Sequence, residues 1–174
     1  MTNLILRLLR KVAGWFHRGP RLPFPEAWLA CFVTRWHSGK SSPWLAKTND
    51  TIHGHGGRMA VLAQVLFDDW SFDLILACIN HDMGEWGAAD VPYEAKRDPD
   101  MRSAADRLEG DCLDRLGLCY AVSDIDARRL KFLDRLDAYL WCQLHAPQIQ
   151  SGLGWPEGLD WLLGEADCLG VDLG

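Results

Sequence analysis

Apolar residues in this chain recur mostly at three- and four-residue intervals, the period of a helix with one face in a core. Met59, Leu62, Ala63 and Leu66 form one such face. Residues 98–117 form another, with Met101, Ala105, Leu108, Cys112, Leu113 and Leu116 on its inner side. Ser123 stands three residues before Asp126, resembling a capping box with Asp in place of Glu, and the helix it opens is expected to run to about residue 145. The segment FDLILACIN, residues 72–80, is almost wholly apolar. It fits a buried strand or a buried helix on periodicity, and its helical neighbours favour the helix. Pro25 opens a further helix that carries Trp28, Leu29, Phe32 and Val33 to the pair Arg35–Trp36. Leu4, Ile5, Leu8, Leu9, Val12 and Trp15 share one side of an amphipathic helix over residues 3–17.

The connecting segments are rich in breakers. GPRLPFP (19–25) ends the first helix, HSGKSSPWLAKTND (37–50) reads as a loop, and MGEWGAADVPYEAK (83–96) reads as irregular. A glycine-rich tail, 146–174, carries a short helix around Trp155–Leu163. No alternating strand pattern, internal repeat or long linker divides the chain. The expectation is one all-α domain, a helical bundle with its core over residues 25–145.

Composition narrows the class. The chain has 174 residues, 48% apolar and 24% charged, which excludes disordered and low-complexity architectures. No apolar run approaches the roughly 18 residues of a membrane span. Arg7, Arg10, Lys11, Arg18 and Arg21 give the first 25 residues five cations and no acid. Against a net charge of −6, this leaves −11 on the remainder, a poor partner for a nucleic-acid polymer but not for a small anion held locally. The cations interrupt the amino-terminal apolar stretch, so it reads as a helix packing on its own domain or a second subunit, or lying on a membrane surface, and not as a signal peptide. Six cysteines without CxxC or zinc-finger spacing fit reduced, mostly buried thiols and a cytoplasmic location.

Two histidine pairings carry candidate chemistry: His53-Gly54-His55, and His81-Asp82 at the end of an apolar helix. A carboxylate leaving water there needs compensation, and a divalent cation supplies it. Leu130, Leu133, Leu140, Trp141 and Leu144 form an apolar stripe on the late helix, and Asp134 and Asp137 fall on that stripe. A carboxylate facing a core is ordinarily tied to a cation on its own helix, here Arg128, Lys131 or Arg135. Beside His55, His81 and Asp82 the metal reading gains.

In chain order stand Arg35–Trp36, His55, His81–Asp82 with Glu85, Asp90-Val91-Pro92 with a trailing Lys96, and Asp134-Arg135-Leu136-Asp137-Ala138-Tyr139-Leu140. This order resembles the H…HD…D signature of HD-domain metal-dependent phosphohydrolases over residues 28–144. More narrowly, it is similar to the 5′-deoxynucleotidase branch and the small bacteriophage deoxynucleoside triphosphohydrolases related to it. The chain departs from the pattern in having Gly54 where the family often has Glu, and in a longer loop between Trp36 and His55. No histidine lies between 82 and 134, unlike the di-iron oxygenases of the superfamily. The GYP motif of cyclic-dinucleotide phosphodiesterases is absent, and Glu85 is followed by Trp86 where alarmone hydrolases carry an ED pair.

The resemblance implies one divalent transition metal (Co, Mn, Zn or Fe) held by His55, His81, Asp82 and Asp134, with His53 the second candidate for the first ligand and Asp137 a neighbour. It implies that Glu85 orients or deprotonates the attacking water. Asp90 would bind the sugar 3′-hydroxyl or handle the leaving-group proton. Arg35 and Lys96 would contact phosphate, and Trp36 would pack beside the sugar and disfavour a 2′-hydroxyl. The expected activity is release of a deoxynucleoside from its 5′-monophosphate, alternatively of triphosphate from a deoxynucleoside triphosphate. A catalytically silent nucleotide-binding module is the reading of another class. The expected partner is a small deoxynucleotide, and the expected assembly a homo-oligomer.

Overall fold

The structure, a computed structural model, describes residues 24–37, 39–88, 91 and 95–173. The amphipathic segment 3–17 and Asp90 lie outside them. Among the described residues the chain is an all-α bundle without a strand or sheet. Its helices are α1 Phe24–Ala30, α2 Ser42–Leu45, α3 Ile52–Leu66, α4 Phe72–Asn80, α5 Glu85–Ala88, α6 Pro99–Leu116, α7 Asp124–His145 and α8 Trp155–Leu169. No helix among these residues is long and apolar enough to cross a membrane.

Local side chains start the main helices. Thr51, Ser71 and Ser123 accept hydrogen bonds from the backbone N–H three residues on, and Asp98 accepts from two, satisfying donors that have no partner within the helix. The box at Ser123 is half formed, because the Asp126 carboxylate accepts from Ser71 and Arg129. α3, α4, α7 and α8 enclose the principal core, built from Met59, Ala63, Leu74, Cys78, Phe132, Leu133, Leu136, Leu162 and Ala166. α6 closes a second core with α1 through Ala30, Ile52, Met83, Cys112, Leu113 and Leu116. All six cysteines are free, with Cys119 and Cys168 exposed.

Several sequence-derived boundaries move. The helix opened near Pro25 stops at Ala30, because the following residues pair with the segment before α3. Thr34 and Thr51 form an antiparallel bridge, Arg35 N–H donates to the Asp50 carbonyl at 2.8 Å, and Ile52 N–H donates to the Val33 carbonyl at 2.9 Å. The 37–50 segment is not all loop: Leu45 is fully buried and anchors α2, with Pro43 in its first turn where no amide is needed. In the 83–96 segment, Glu85–Ala88 and Ala95–Arg97 are helical. On α6, Met101 and Leu108 are exposed, so the inner face narrows to Ala105, Cys112, Leu113 and Leu116. α8 extends to Leu169, because Leu162 and Ala166 bury into the core and outweigh the propensity cost of Gly158 and Gly164. Leu140 and Leu144 face outward, so the stripe on α7 is apolar but not wholly internal.

Candidate metal centre

Two glycines set the distances at the heart of the bundle. A Cβ on Gly56 would lie 2.6 Å from the Cys78 carbonyl oxygen, so α3 and α4 approach closely only because that position has no side chain. A Cβ on Gly84 would lie 2.6 Å from the Glu109 carbonyl, which lets the turn after α4 press against α6. That turn, His81–Gly84, is 3₁₀, and it presents His81 and Asp82 side by side with Nε2 and Oδ1 3.2 Å apart.

The imidazoles are aimed from behind. His55, fully buried, donates from Nδ1 to Asp137 Oδ2 at 2.7 Å, and His81 donates from Nδ1 to the Cys78 carbonyl at 3.1 Å. Both Nε2 atoms are buried and make no hydrogen bond. With Nδ1 protonated, each Nε2 is left with a lone pair and no donor to satisfy it. One carboxylate oxygen each from Asp82 and Asp134 joins them, and the four donor atoms lie within 4.8 Å of one another. Such an N₂O₂ set suits a borderline divalent transition ion, and the orphaned nitrogens are what that ion would satisfy. The group His55, His81, Asp82 and Asp134 could hold a metal ion.

The charges interlock. Burial would lower the His55 pKa, but the carboxylates of Asp134 and Asp137 outweigh it and raise it above 6.5. Burial would raise Asp137, but the His55 imidazole and the Arg58 guanidinium hold it below the ordinary carboxylate range. Asp134 is likewise held low against burial, by His55, His81 and Arg35. His53, two residues before His55, points out to solvent.

Arg35 lies over the carboxylates, its nitrogens 3.4 Å from Asp50, 3.6 Å from Asp134, 3.8 Å from Asp137 and 3.9 Å from Asp82. Trp36 follows with φ of +70°, a conformation unfavourable for a bulky residue, and its indole N–H donates to Asp50 Oδ2 at 3.2 Å. A cavity of about 670 Å³ opens from Arg35, Trp36, Glu85 and Asp134 between α7 and the start of α8. Lys40, Lys131 and Arg135 add positive charge to its wall, and Tyr139 and Trp155 add aromatic surface. Lys96 is not in this wall; its ammonium donates to Glu109 at 3.0 Å on α6. Trp44 and Trp86 are each a little over a third exposed, whereas Trp141 is half-buried under Arg58.

The sequence pattern marks neither Asp50 nor Arg58. Asp50 sits in a polar loop and reads as a turn residue, yet it is 2% exposed. Arg58 had one available signal, its place one turn after His55 on the same helix face. The chain matches no family model, no curated protein and no solved structure.

Proposed function

We propose that this chain is an HD-type metal-dependent phosphohydrolase acting on 2′-deoxynucleotides and releasing the deoxynucleoside from a 5′-monophosphate. The observation that carries the reading is the pair of buried Nε2 atoms without a hydrogen bond converging with two carboxylates beneath Arg35, with Glu85 and Asp134 in the wall of one cavity. His55, His81, Asp82 and Asp134 would hold the ion. When bound, a divalent ion supplies Lewis-acid charge at the phosphoryl group and lowers the pKa of water.

The protein's own groups supply the rest. The Arg35 guanidinium offers a planar fork to phosphate oxygens. Glu85, in the same cavity wall, takes the proton of the attacking water as its oxygen bonds to phosphorus. The P–O5′ bond breaks, and the leaving alkoxide takes up a proton, the role proposed for Asp90 along with 3′-hydroxyl binding. Trp36 packs beside the sugar, where a 2′-hydroxyl would meet its ring. Lys96, tied to Glu109, adds positive charge toward Glu85 and Asp82.

One observation favours the triphosphate reading as a second: Lys40, Lys131 and Arg135 join Arg35 in the cavity wall, four cations against Glu85, Asp134 and Glu157. Elemental analysis and ion-exchange chromatography of products from a ribo- and deoxynucleotide panel test both. Bound transition metal, loss of it in Asp134→Ala, deoxy preference and phosphate as product are expected, and triphosphate as product selects the second reading. A metal-loaded protein that cleaves no 5′-nucleotide would sink both.

A further inference from the structure

Asp50 and Asp137 are 2% and 3% exposed, and carboxylates so buried are costly unless each is paired and hydrogen-bonded. Arg58 hydrogen-bonds to both, whereas Arg35 touches Asp50 at 3.4 Å and stays 3.8 Å from Asp137. Arg58 donates from Nε to Asp137 Oδ1 at 2.7 Å, from Nη2 to Asp137 Oδ2 at 2.8 Å, and from Nη2 to Asp50 Oδ1 at 2.9 Å. Its guanidinium is held over the Trp141 ring at 4.1 Å. Each carboxylate then reaches a different part of the site. Asp137 Oδ2 accepts from His55 Nδ1, which leaves Nε2 facing the ligand group. Asp50 Oδ2 accepts from Trp36 Nε1 and, at 3.4 Å, from Arg35 Nη1, restraining a segment whose backbone is strained at Trp36.

We propose that Arg58 is a positioning residue that ties the two halves of the site together. Through Asp137 it aims the His55 imidazole at the metal position, and through Asp50 it holds Arg35 and Trp36 above that position. The inference rests on the metal-centre reading of His55 and on Arg35 as an anion contact, but not on nucleotide turnover. Lysine cannot replace the fork, because a single ammonium lacks the planar geometry that meets Asp137 at two oxygens and Asp50 at a third.

The test uses the full chain and two measurements without turnover: Co(II) affinity by calorimetry, and inorganic phosphate affinity of the Co(II)-saturated protein, read from the cobalt absorption bands. Asp137→Asn weakens Co(II) binding by about 10- to 100-fold, the usual worth of a group that orients a ligand. Asp50→Asn leaves Co(II) affinity within about threefold and weakens phosphate by about tenfold, the loss of a charged hydrogen-bond partner. Arg58→Gln weakens both. Adding Asp50→Asn to it costs phosphate affinity no further, because both changes cut one connection. Arg58→Lys, which keeps the charge, restores neither measurement to the wild-type value.

A folded Arg58→Gln protein with both affinities within about threefold of wild type overturns the proposal, as does loss of only one of them. If Arg58→Gln does not fold, Arg58→Lys takes its place: weakening of both affinities supports the proposal, and wild-type values for either overturn it. Wild-type protein that binds Co(II) and phosphate but cleaves no nucleotide rejects the proposed function and leaves this inference standing. Wild-type protein that binds no Co(II) overturns both.

Discussion

At His55 a proton and a bound metal ion would compete for one Nε2 lone pair. Burial opposes the imidazolium, but Asp134 and Asp137 favour it more, so the folded pKa lies above 6.5. In metal-free protein the charged ring therefore contributes stability that is full below about 6.5 and is lost as pH rises through the raised value. Metal binding at His55 would run the other way, gaining affinity over that same rise as the ion displaces a proton. Calorimetry of Co(II) binding in buffers of different ionisation enthalpy, repeated over a range of pH, counts the protons released. Binding that releases no proton at any pH in that range would remove His55 from the ligand set. Glu85 makes the second prediction at this scale. If Glu85 is the base proposed above, Glu85→Gln, which keeps size and hydrogen bonding, leaves metal and nucleotide binding in place while kcat falls by about 10²- to 10⁴-fold. A near-normal kcat in steady-state kinetics of the metal-loaded variant would assign Glu85 to binding alone.

Between elements, the closest approach is that of α3 to α4 at Gly56. An added Cβ would meet the Cys78 carbonyl at 2.6 Å and the Ile79 Cα at 3.1 Å, both backbone atoms that cannot swing aside. The same Cys78 carbonyl accepts the His81 Nδ1–H bond, so parting the helices disturbs both imidazoles at once. Gly56→Ala is therefore expected to cost about 1–3 kcal/mol in urea denaturation and to weaken Co(II) binding. Its neighbour supplies the control. Gly57 lies inside the same helix with no atom within 4 Å of an added Cβ, so Gly57→Ala is expected to be neutral or to stabilise by up to about 1 kcal/mol. Equal urea midpoints for the two variants would contradict the close approach.

As a whole, the molecule carries net negative charge, yet Arg35, Lys40, Lys131 and Arg135 line its large cavity. A small anion can meet those cations inside the cavity, whereas an extended polyanionic strand would also meet the acidic body. Metal-free, the bundle holds Asp82 and Asp134 in one group with two unpartnered imidazole nitrogens. A ligand that binds only the folded state stabilises it by mass action, about 2.7 kcal/mol at a hundredfold excess over Kd. For a chain of this size that corresponds to a rise in Tm of roughly 5–10 °C. Thermal denaturation with and without Co(II) should show this rise, with reversal by chelator and no rise in Asp134→Ala. An unchanged wild-type Tm would argue against a resident ion.

The helices α3, α6 and α7 were legible before folding because an amphipathic 3.6-residue period and, for α7, a cap are local properties of the chain. The almost wholly apolar α4 reads as helix only from its helical neighbours. The pairing of His81 with Asp82, and the place of Asp134 one helical turn from Asp137, are equally visible in one dimension. The end of α1 was not, since a bridge between Thr34 and Thr51 sets it across seventeen positions of chain. His53 and His55 sit two residues apart, about 200° around a helix, and periodicity weighs them alike. Packing turns one to solvent and buries the other. Asp134 and Asp137 share a face, but one borders the Nε2 side of His55 while the other accepts the hydrogen bond from its Nδ1. Asp50 was hidden altogether, a buried carboxylate in a stretch of Lys, Thr and Asn. A pattern of apolar and polar residues records how often each position meets water. Which buried polar atoms meet each other depends on distances between helices, and those arise when side chains far apart in the chain pack together.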